Sequence, residues 1–353
     1  MNSKLSARTL INRRQLLAGS AALSLASAAG LACAADVETP KFELISVSDP
    51  QVGAQIAIAD HYKLFANQGL DVTVRWTQSV ADILTIMGGG TAPVGCGGSF
   101  TQVLFAGQNL PVRAISALAD IAETQGLALG PNVKISNPME LEGKRLAFTQ
   151  GNSHVLMLAK LAKMYDFDQS KVTLVNMNQS EGVVAASRGD VDGLLGWHPN
   201  LARVVSMGGS MYFTGNSLYV DGKPQPLAEK DRLLYANTVL MASQEWIDTK
   251  PNTLAALLQS VREANDMIKD DRPRAMAALQ TVLKIDKALL EVMVSANKYQ
   301  IGIHQGLKAS HDFQTAWALE IGRVKAAPAA SACFTTKIAE MVDPALVTWK
   351  PEA

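Results

Sequence analysis

Short apolar runs alternate with polar turns along the first half of the chain. Phe42 to Val47 is a β-rich run that ends in Ser48-Asp49-Pro50. Val52 to Asn67 predicts a helix with Ile56, Ala59 and Leu64 toward the core, stopped by Gln68-Gly69. Asp71 to Trp76 alternates as a strand does. Ser79 opens a short helix through Met87, and Gly88-Gly89-Gly90 closes it. Pro93 to Cys96 predicts a short strand, Gly97-Gly98-Ser99 leads into a helix from Phe100, and Val112 to Leu118 is another strand. Strands that alternate with helices predict a parallel sheet.

The same grammar restarts after Asn137-Pro138. Lys144–Phe148, Val172–Val175 and Val191–Leu195 predict strands, with helices from Ser153 to Tyr165 and from Ser180 to Arg188 between them. Gly215 to Pro226 is polar and turn-rich and predicts a loop, and Tyr235 to Ala242 is strand-like. Beyond Pro251 the pattern is helical. Leu254, Leu257, Leu258, Val261 and Ile268 form one stripe, and further helices are expected at Arg274–Leu283, Lys287–Ala296 and Ser310–Val324.

The first segment follows different rules. Arg13-Arg14 precedes a weakly apolar stretch from Ala18 to Leu31, and Ala32-Cys33-Ala34 gives a small-x-small cleavage pattern. That combination predicts an export signal, of the twin-arginine kind or a general secretory one with adjacent arginines. Cys33 as a lipid anchor ranks lower, because Gly30 stands where leucine is usual. The chain has 32 basic and 32 acidic residues. Without Lys4, Arg8, Arg13 and Arg14 it has 28 basic against 32 acidic ones, which speaks against nucleic acid as a partner. No other run reaches the roughly 18 apolar residues of a membrane span. A soluble periplasmic product is expected. Cys96 and Cys333 then remain and are expected as separate buried thiols.

Catalytic signatures are missing. There is no HExxH, GxSxG or P-loop, and no two of His61, His154, His198, His304 and His311 are spaced as a helical metal pair. No metal or other cofactor is implied. Four strand-to-loop junctions carry the polar chemistry: Ser48-Asp49-Pro50-Gln51, Cys96-Gly97-Gly98-Ser99-Phe100-Thr101, Thr149-Gln150-Gly151-Asn152-Ser153-His154 and Gly196-Trp197-His198-Pro199. Ligands of open α/β sheets bind outside the carboxyl ends of strands, where helix N-termini offer N–H groups to an anion. Ser99 and Ser153 equally suit plain helix caps, and Trp197 equally suits the core.

These junctions come with Leu64-Phe65-Ala66-Asn67-Gln68-Gly69-Leu70-Asp71-Val72, Leu141-Glu142-Gly143-Lys144-Arg145-Leu146-Ala147 and Ser187-Arg188-Gly189-Asp190-Val191-Asp192-Gly193. In that order and spacing the sequence resembles the periplasmic solute-binding proteins of ABC importers for nitrate, taurine and aliphatic sulfonates, a family that also holds thiamine-pyrimidine-precursor binders. The resemblance implies an α/β, two-lobed periplasmic-binding-protein fold with a ligand cleft between the lobes and a helical C-terminal part. It implies a signal over 1–35, lobe I over 36–128 and 226–353, and lobe II over 129–225. It also implies a monomer that closes on a small anionic ligand and meets an ABC permease complex, with Gln51, Ser99, Phe100, Ser153, His154, Trp197 and His198 at the ligand. An enzyme of the thiamine-pyrimidine synthase type and a ligand-binding sensor component are the alternatives. The isolated cysteines and the export signal weigh against the enzyme. Two residues depart from the family pattern: Asn152 replaces a small hydroxyl residue, and His198 replaces an acid before Pro199. Since histidine becomes positive near a pKa of about 6.5, an anion without an obligatory amine is expected to bind better than taurine, and more tightly at low pH.

Overall fold

The computed structural model describes residues 36–77, 80–150 and 154–352. The expected export signal, Cys33, Ser79, Asn152 and Ser153 lie outside the described residues. Four strands open the fold: β1 (Lys41–Val47), β2 (Asp71–Thr77), β3 (Val94–Gly98) and β4 (Val112–Asp120). Seven follow: β5 (Gln125–Leu129), β6 (Arg145–Phe148), β7 (Thr173–Asn176), β8 (Gly193–Trp197), β9 (Ser210–Thr214), β10 (Ser217–Val220) and β11 (Lys223–Pro226). The last two are β12 (Asn237–Ser243) and β13 (Lys298–Gly302).

They form two sheets. The first has the order β13-β4-β12-β3-β1-β2 and the second β11-β10-β9-β5-β8-β6-β7. The expected β-α-β grammar holds where β1 runs parallel to β2 and β3, and where β6 runs parallel to β7 and β8. Both sheets are nevertheless mixed. β12 is antiparallel to β3 and β4, and β5 is antiparallel to β8 and β9. Each of these strands enters its sheet from the side of the other sheet, so it runs against its neighbours. The chain passes between the sheets at 121–124 and 227–236. β5 therefore belongs to the second sheet from Gln125 onward, ahead of the expected lobe boundary at 129.

Local chemistry explains two further differences. The expected helix over Val52–Asn67 is two, α1 (Ala54–His61) and α2 (Leu64–Asn67), broken where Lys63 adopts φ 60. The expected loop over Gly215–Pro226 is the β10–β11 hairpin, paired from Ser217↔Pro226 to Val220↔Lys223. Its turn is Asp221-Gly222 with φ 50 and 74, and Asp-Gly suits a two-residue turn that needs positive φ at both positions.

The helices that follow strands begin at the strands' carboxyl ends. They include α3 (Val80–Gly88), α4 (Ser99–Gly107), α5 (His154–Tyr165), α6 (Gln179–Arg188) and α7 (Asn200–Ser206). Asn178 and Glu181 form a reciprocal capping box that starts α6, and Gly189 at φ 85 ends it. The C-terminal part contributes α8 (Gln244–Thr249), α9 (Pro251–Asp270), α10 (Arg272–Leu283), α11 (Lys287–Ser295) and α12 (Gln305–Glu320). In α9 the expected stripe Leu254, Leu257, Leu258, Val261 and Ile268 is buried in the core of the first sheet. The second sheet has its own cores, one around Leu146, Leu158, Leu161 and Phe213 and one around Ala147, Val183, Leu194 and Leu201. Cys96 and Cys333 are separate buried thiols, each pushed up to about 12 by burial. Among the described residues no helix is long and apolar enough to cross a membrane.

Candidate functional site

Gln51 lies two residues beyond Asp49, in the turn after β1. Asp49 Oδ1 accepts from the backbone N–H of Gln51 at 2.8 Å and of Val52 at 3.0 Å, which shapes the turn. Burial pushes the Asp49 carboxyl up to about 6, against the pull of those two N–H groups. The buried Gln51 side chain then reaches across to the second sheet. Its Nε2 donates to the His198 carbonyl at 3.1 Å. Its Oε1 accepts from Thr124 Oγ1 at 2.6 Å and from Gln125 Nε2 at 3.2 Å. The Gln51 carbonyl accepts from Thr238 Oγ1 at 2.9 Å, which fixes the turn on β12.

The network continues in the second sheet. Gln125 Oε1 lies 2.7 Å from His154 Nε2, at the first residue of α5. The His154 ring stacks on Trp197 at the end of β8, with centroids 5.4 Å apart and an interplanar angle of 11°. His198 follows, its backbone N–H donating to the Thr124 carbonyl at 2.9 Å, and its peptide bond to Pro199 is cis. Beside Trp197, Gly196 has no side chain, and a Cβ there would stand 1.9 Å from Gln179 Oε1. Gln179 Nε2 in turn donates to Thr149 Oγ1 at 3.1 Å, immediately after β6.

Four of the residues expected from the sequence are thus brought together: Gln51, His154, Trp197 and His198. Two others point elsewhere. Ser99 is fully buried, its Oγ donating to Gln314 Oε1 at 2.7 Å and accepting from the Asn237 N–H at 3.2 Å, so it ties α4 to α12 and β12. Phe100 packs on Trp317 at 4.6 Å, against the small apolar cluster of Val103, Leu104, Ala318 and Val324. Ser153 lies outside the described residues. Thr124 and Gln125 were not foreseen. The available signal was three polar residues in a row, Glu123-Thr124-Gln125, between two apolar strand runs.

The electrostatics are those of a neutral polar site. Burial pushes His154 and His198 both down to about 4, so neither imidazole is charged between pH 5.5 and 8. Without an anion beside it, His198 is therefore uncharged over the range in which it was expected to attract one. Among the described residues no Arg or Lys joins the network. The Nδ1 atoms of both histidines and Oε1 of Gln179 are buried without a hydrogen-bond partner among the described residues. Such atoms are costly to leave unmet. No cluster of three or more His, Cys, Asp or Glu could hold a metal ion among the described residues. A separate polar cavity of about 510 Å³ lies beside Asp120, Arg232, Lys298 and His304 and shares no residue with the network. There Arg232 pairs with Asp120 at 2.6 Å.

Comparison with known proteins gives the family and the fold. The family described as "NMT1/THI5 like" matches residues 52–275. The taurine-binding periplasmic protein of Escherichia coli is 26% identical over 216 residues, which is 60% of this chain and 61% of that protein. The 4-amino-5-hydroxymethyl-2-methylpyrimidine phosphate synthase of Uromyces fabae is 22% identical over 224 residues, 62% of this chain and 63% of that one. The chain thus spans less than two thirds of the length of either relative. Among solved structures, the periplasmic aliphatic sulphonate binding protein SsuA from Escherichia coli superposes with a TM-score of 0.70 at 12% identity, covering 89% of this chain and 94% of that one. The two mixed sheets thus share the fold of that structure.

Proposed function

Because the chain belongs to the NMT1/THI5-like family, we propose that it is an extracytoplasmic solute-binding protein that captures a small organic solute of the sulfonate class, closes on it, and delivers it as a monomer to an ABC permease complex. The observation that carries this reading is the Gln51–Gln125–His154 network. It joins the strand-end loops of both sheets around one aromatic face, as a cleft that closes on a solute requires. α4 and α5 start at strand ends on either side, and first-turn N–H groups suit a sulfonate end without any cationic side chain. The taurine-binding relative and the sulphonate-binding neighbour support that class of solute, and they support a periplasmic location.

An enzyme of the pyrimidine-phosphate synthase type is the second reading, favoured by the Uromyces fabae relative. Cys96 and Cys333 are poor nucleophiles, because burial holds both as thiols at pH 7. Calorimetric titration with taurine and with alkylsulfonates tests the proposal, together with mass spectrometry of solute released from gently purified protein. Saturable binding with a smaller radius of gyration is expected. A solute bound at 100 times its Kd adds about 2.7 kcal/mol to the folded state. Turnover of the bound compound, or no binding across the sulfonates, would reject this reading.

A further inference from the structure

We infer that the solute held at this site donates an N–H or O–H group to Nδ1 of His154, so that the site selects donor-bearing solutes over otherwise equal ones. This rests on the solute-binding reading above and narrows its ligand.

The inference follows from the direction of the hydrogen bonds. The His198 backbone carbonyl can only accept, so the group of Gln51 that faces it at 3.1 Å is the amide nitrogen. Gln51 Oε1 then faces Thr124 and Gln125, and the Gln125 group 3.2 Å away is its nitrogen. The same nitrogen donates to Thr124 Oγ1 at 2.9 Å. Gln125 therefore turns its oxygen to His154, and at 2.7 Å that oxygen needs a proton on His154 Nε2. A neutral imidazole carries one proton, so Nδ1 holds a lone pair. Nδ1 is buried, and among the described residues no group donates to it.

The ring is also held in place, stacked on Trp197 at 5.4 Å with the planes 11° apart. An oriented, desolvated acceptor beside an aromatic face rejects a solute that offers it only carbon or oxygen lone pairs, because the buried polar group is then left unmet. A sulfonate oxygen cannot serve here, since it is an acceptor as well. The complementary solute carries its anionic end elsewhere and an amine, amide or hydroxyl toward His154. This reverses the preference expected from His198 replacing an acid.

Two measurements on the full chain test the inference. Nitrogen NMR of histidine-labelled protein at pH 7 should show His154 protonated at Nε2 and bare at Nδ1. A proton on Nδ1 would end it. Calorimetry then compares taurine, 2-hydroxyethanesulfonate and ethanesulfonate, which differ in one terminal group. At least tenfold weaker binding of ethanesulfonate than of the other two is expected, and His154→Phe should bring the three within about twofold of one another. Equal binding of all three to the unaltered protein overturns the inference while leaving the sulfonate reading intact, and would mean that water meets Nδ1. If none of the three binds, the sulfonate reading fails, and the nitrogen spectrum alone decides the acceptor. Should His154→Phe not fold, Gln125→Glu serves instead. A carboxylate at that position favours a second proton on the ring, so the tenfold discrimination should disappear as Nδ1 becomes a donor.

Discussion

His154 Nε2 and Gln125 Oε1 stand 2.7 Å apart, which links the first residue of α5 to the first residue of the central strand of the second sheet. Gln125 also reaches Gln51 in the turn after β1. One short relay of uncharged groups therefore runs from the first sheet to the stacked His154–Trp197 pair.

Trp197 is half-buried and its ring lies on His154. Trp197→Ala should weaken taurine binding by roughly 2 kcal/mol, because the solute loses an apolar face. Loss of stability should be smaller than that. Calorimetry and urea denaturation on the same variant separate the two. Unchanged affinity with a large loss of stability would assign Trp197 to the core.

His154 and His198 are buried with pKa values near 4, below the ordinary 6.5. The unfolded chain then binds more protons than the folded one between about 4 and 6.5. The stability these groups contribute is present above pH 6.5 and is lost as the pH falls through that window. Each histidine adds at most about 1.4 kcal/mol per pH unit to the slope. His154→Asn should therefore be relatively less harmful at pH 5 than at pH 7. Equal stability differences from the unaltered protein at the two pH values would contradict the buried neutral state of His154.

Asp49 has the opposite sign. Its folded pKa of about 6 lies above the ordinary 3.8, so its charge costs stability as the pH rises through about 4 to 6. Asp49→Asn keeps an oxygen for the N–H groups of Gln51 and Val52 and removes that charge. The variant should gain roughly 1–3 kcal/mol at pH 7.5, and the gain should shrink toward pH 4. Asp49→Ala removes the acceptor as well and should lose that advantage. Denaturant titrations at the two pH values check both variants.

Gly196 leaves space that Gln179 fills, since a Cβ there would lie 1.9 Å from Gln179 Oε1. Gly196→Ala should push the amide aside, break its bond to Thr149, and cost about 1 kcal/mol. Adding Gln179→Ala should recover part of that cost. A double variant as unstable as the sum of the two single ones would show that the clash lies elsewhere.

The strand-end loops that meet in the candidate site were legible in the sequence because small and polar residues there interrupt apolar runs at the carboxyl ends of strands. Gln51, His154, Trp197 and His198 all stand at such interruptions. Gln125 does not. It sits at the start of β5, and the short run Gly126–Leu129 carries too little periodicity to mark a strand of the other sheet. β13 was hidden for a similar reason: Lys298–Gly302 falls between the expected helices Lys287–Ala296 and Ser310–Val324, and the pairing with β4 that makes it a strand is remote in sequence. Ser99 and Phe100 have partners that the sequence did not announce. Their position in the βα grammar suited a ligand, but their partners on α12 lie far along the chain, where no local pattern announces them.

The place of β12 between β3 and β4 has a consequence for how the protein is made. Asn237–Ser243 leaves the ribosome only after the whole second sheet has been synthesised. Until then β3 has no neighbour on one edge and β4 has none on either, since β13 is later still. The second sheet, built from the contiguous stretch between Gln125 and Pro226, can close while the nascent chain is still growing. The first sheet waits with open edges, which are the surfaces that pair with wrong partners. Truncation after Pro226 should accordingly yield a folded second sheet tethered to an unfinished first one, and chaperones that guard strand edges should hold on to residues 94–120 longest.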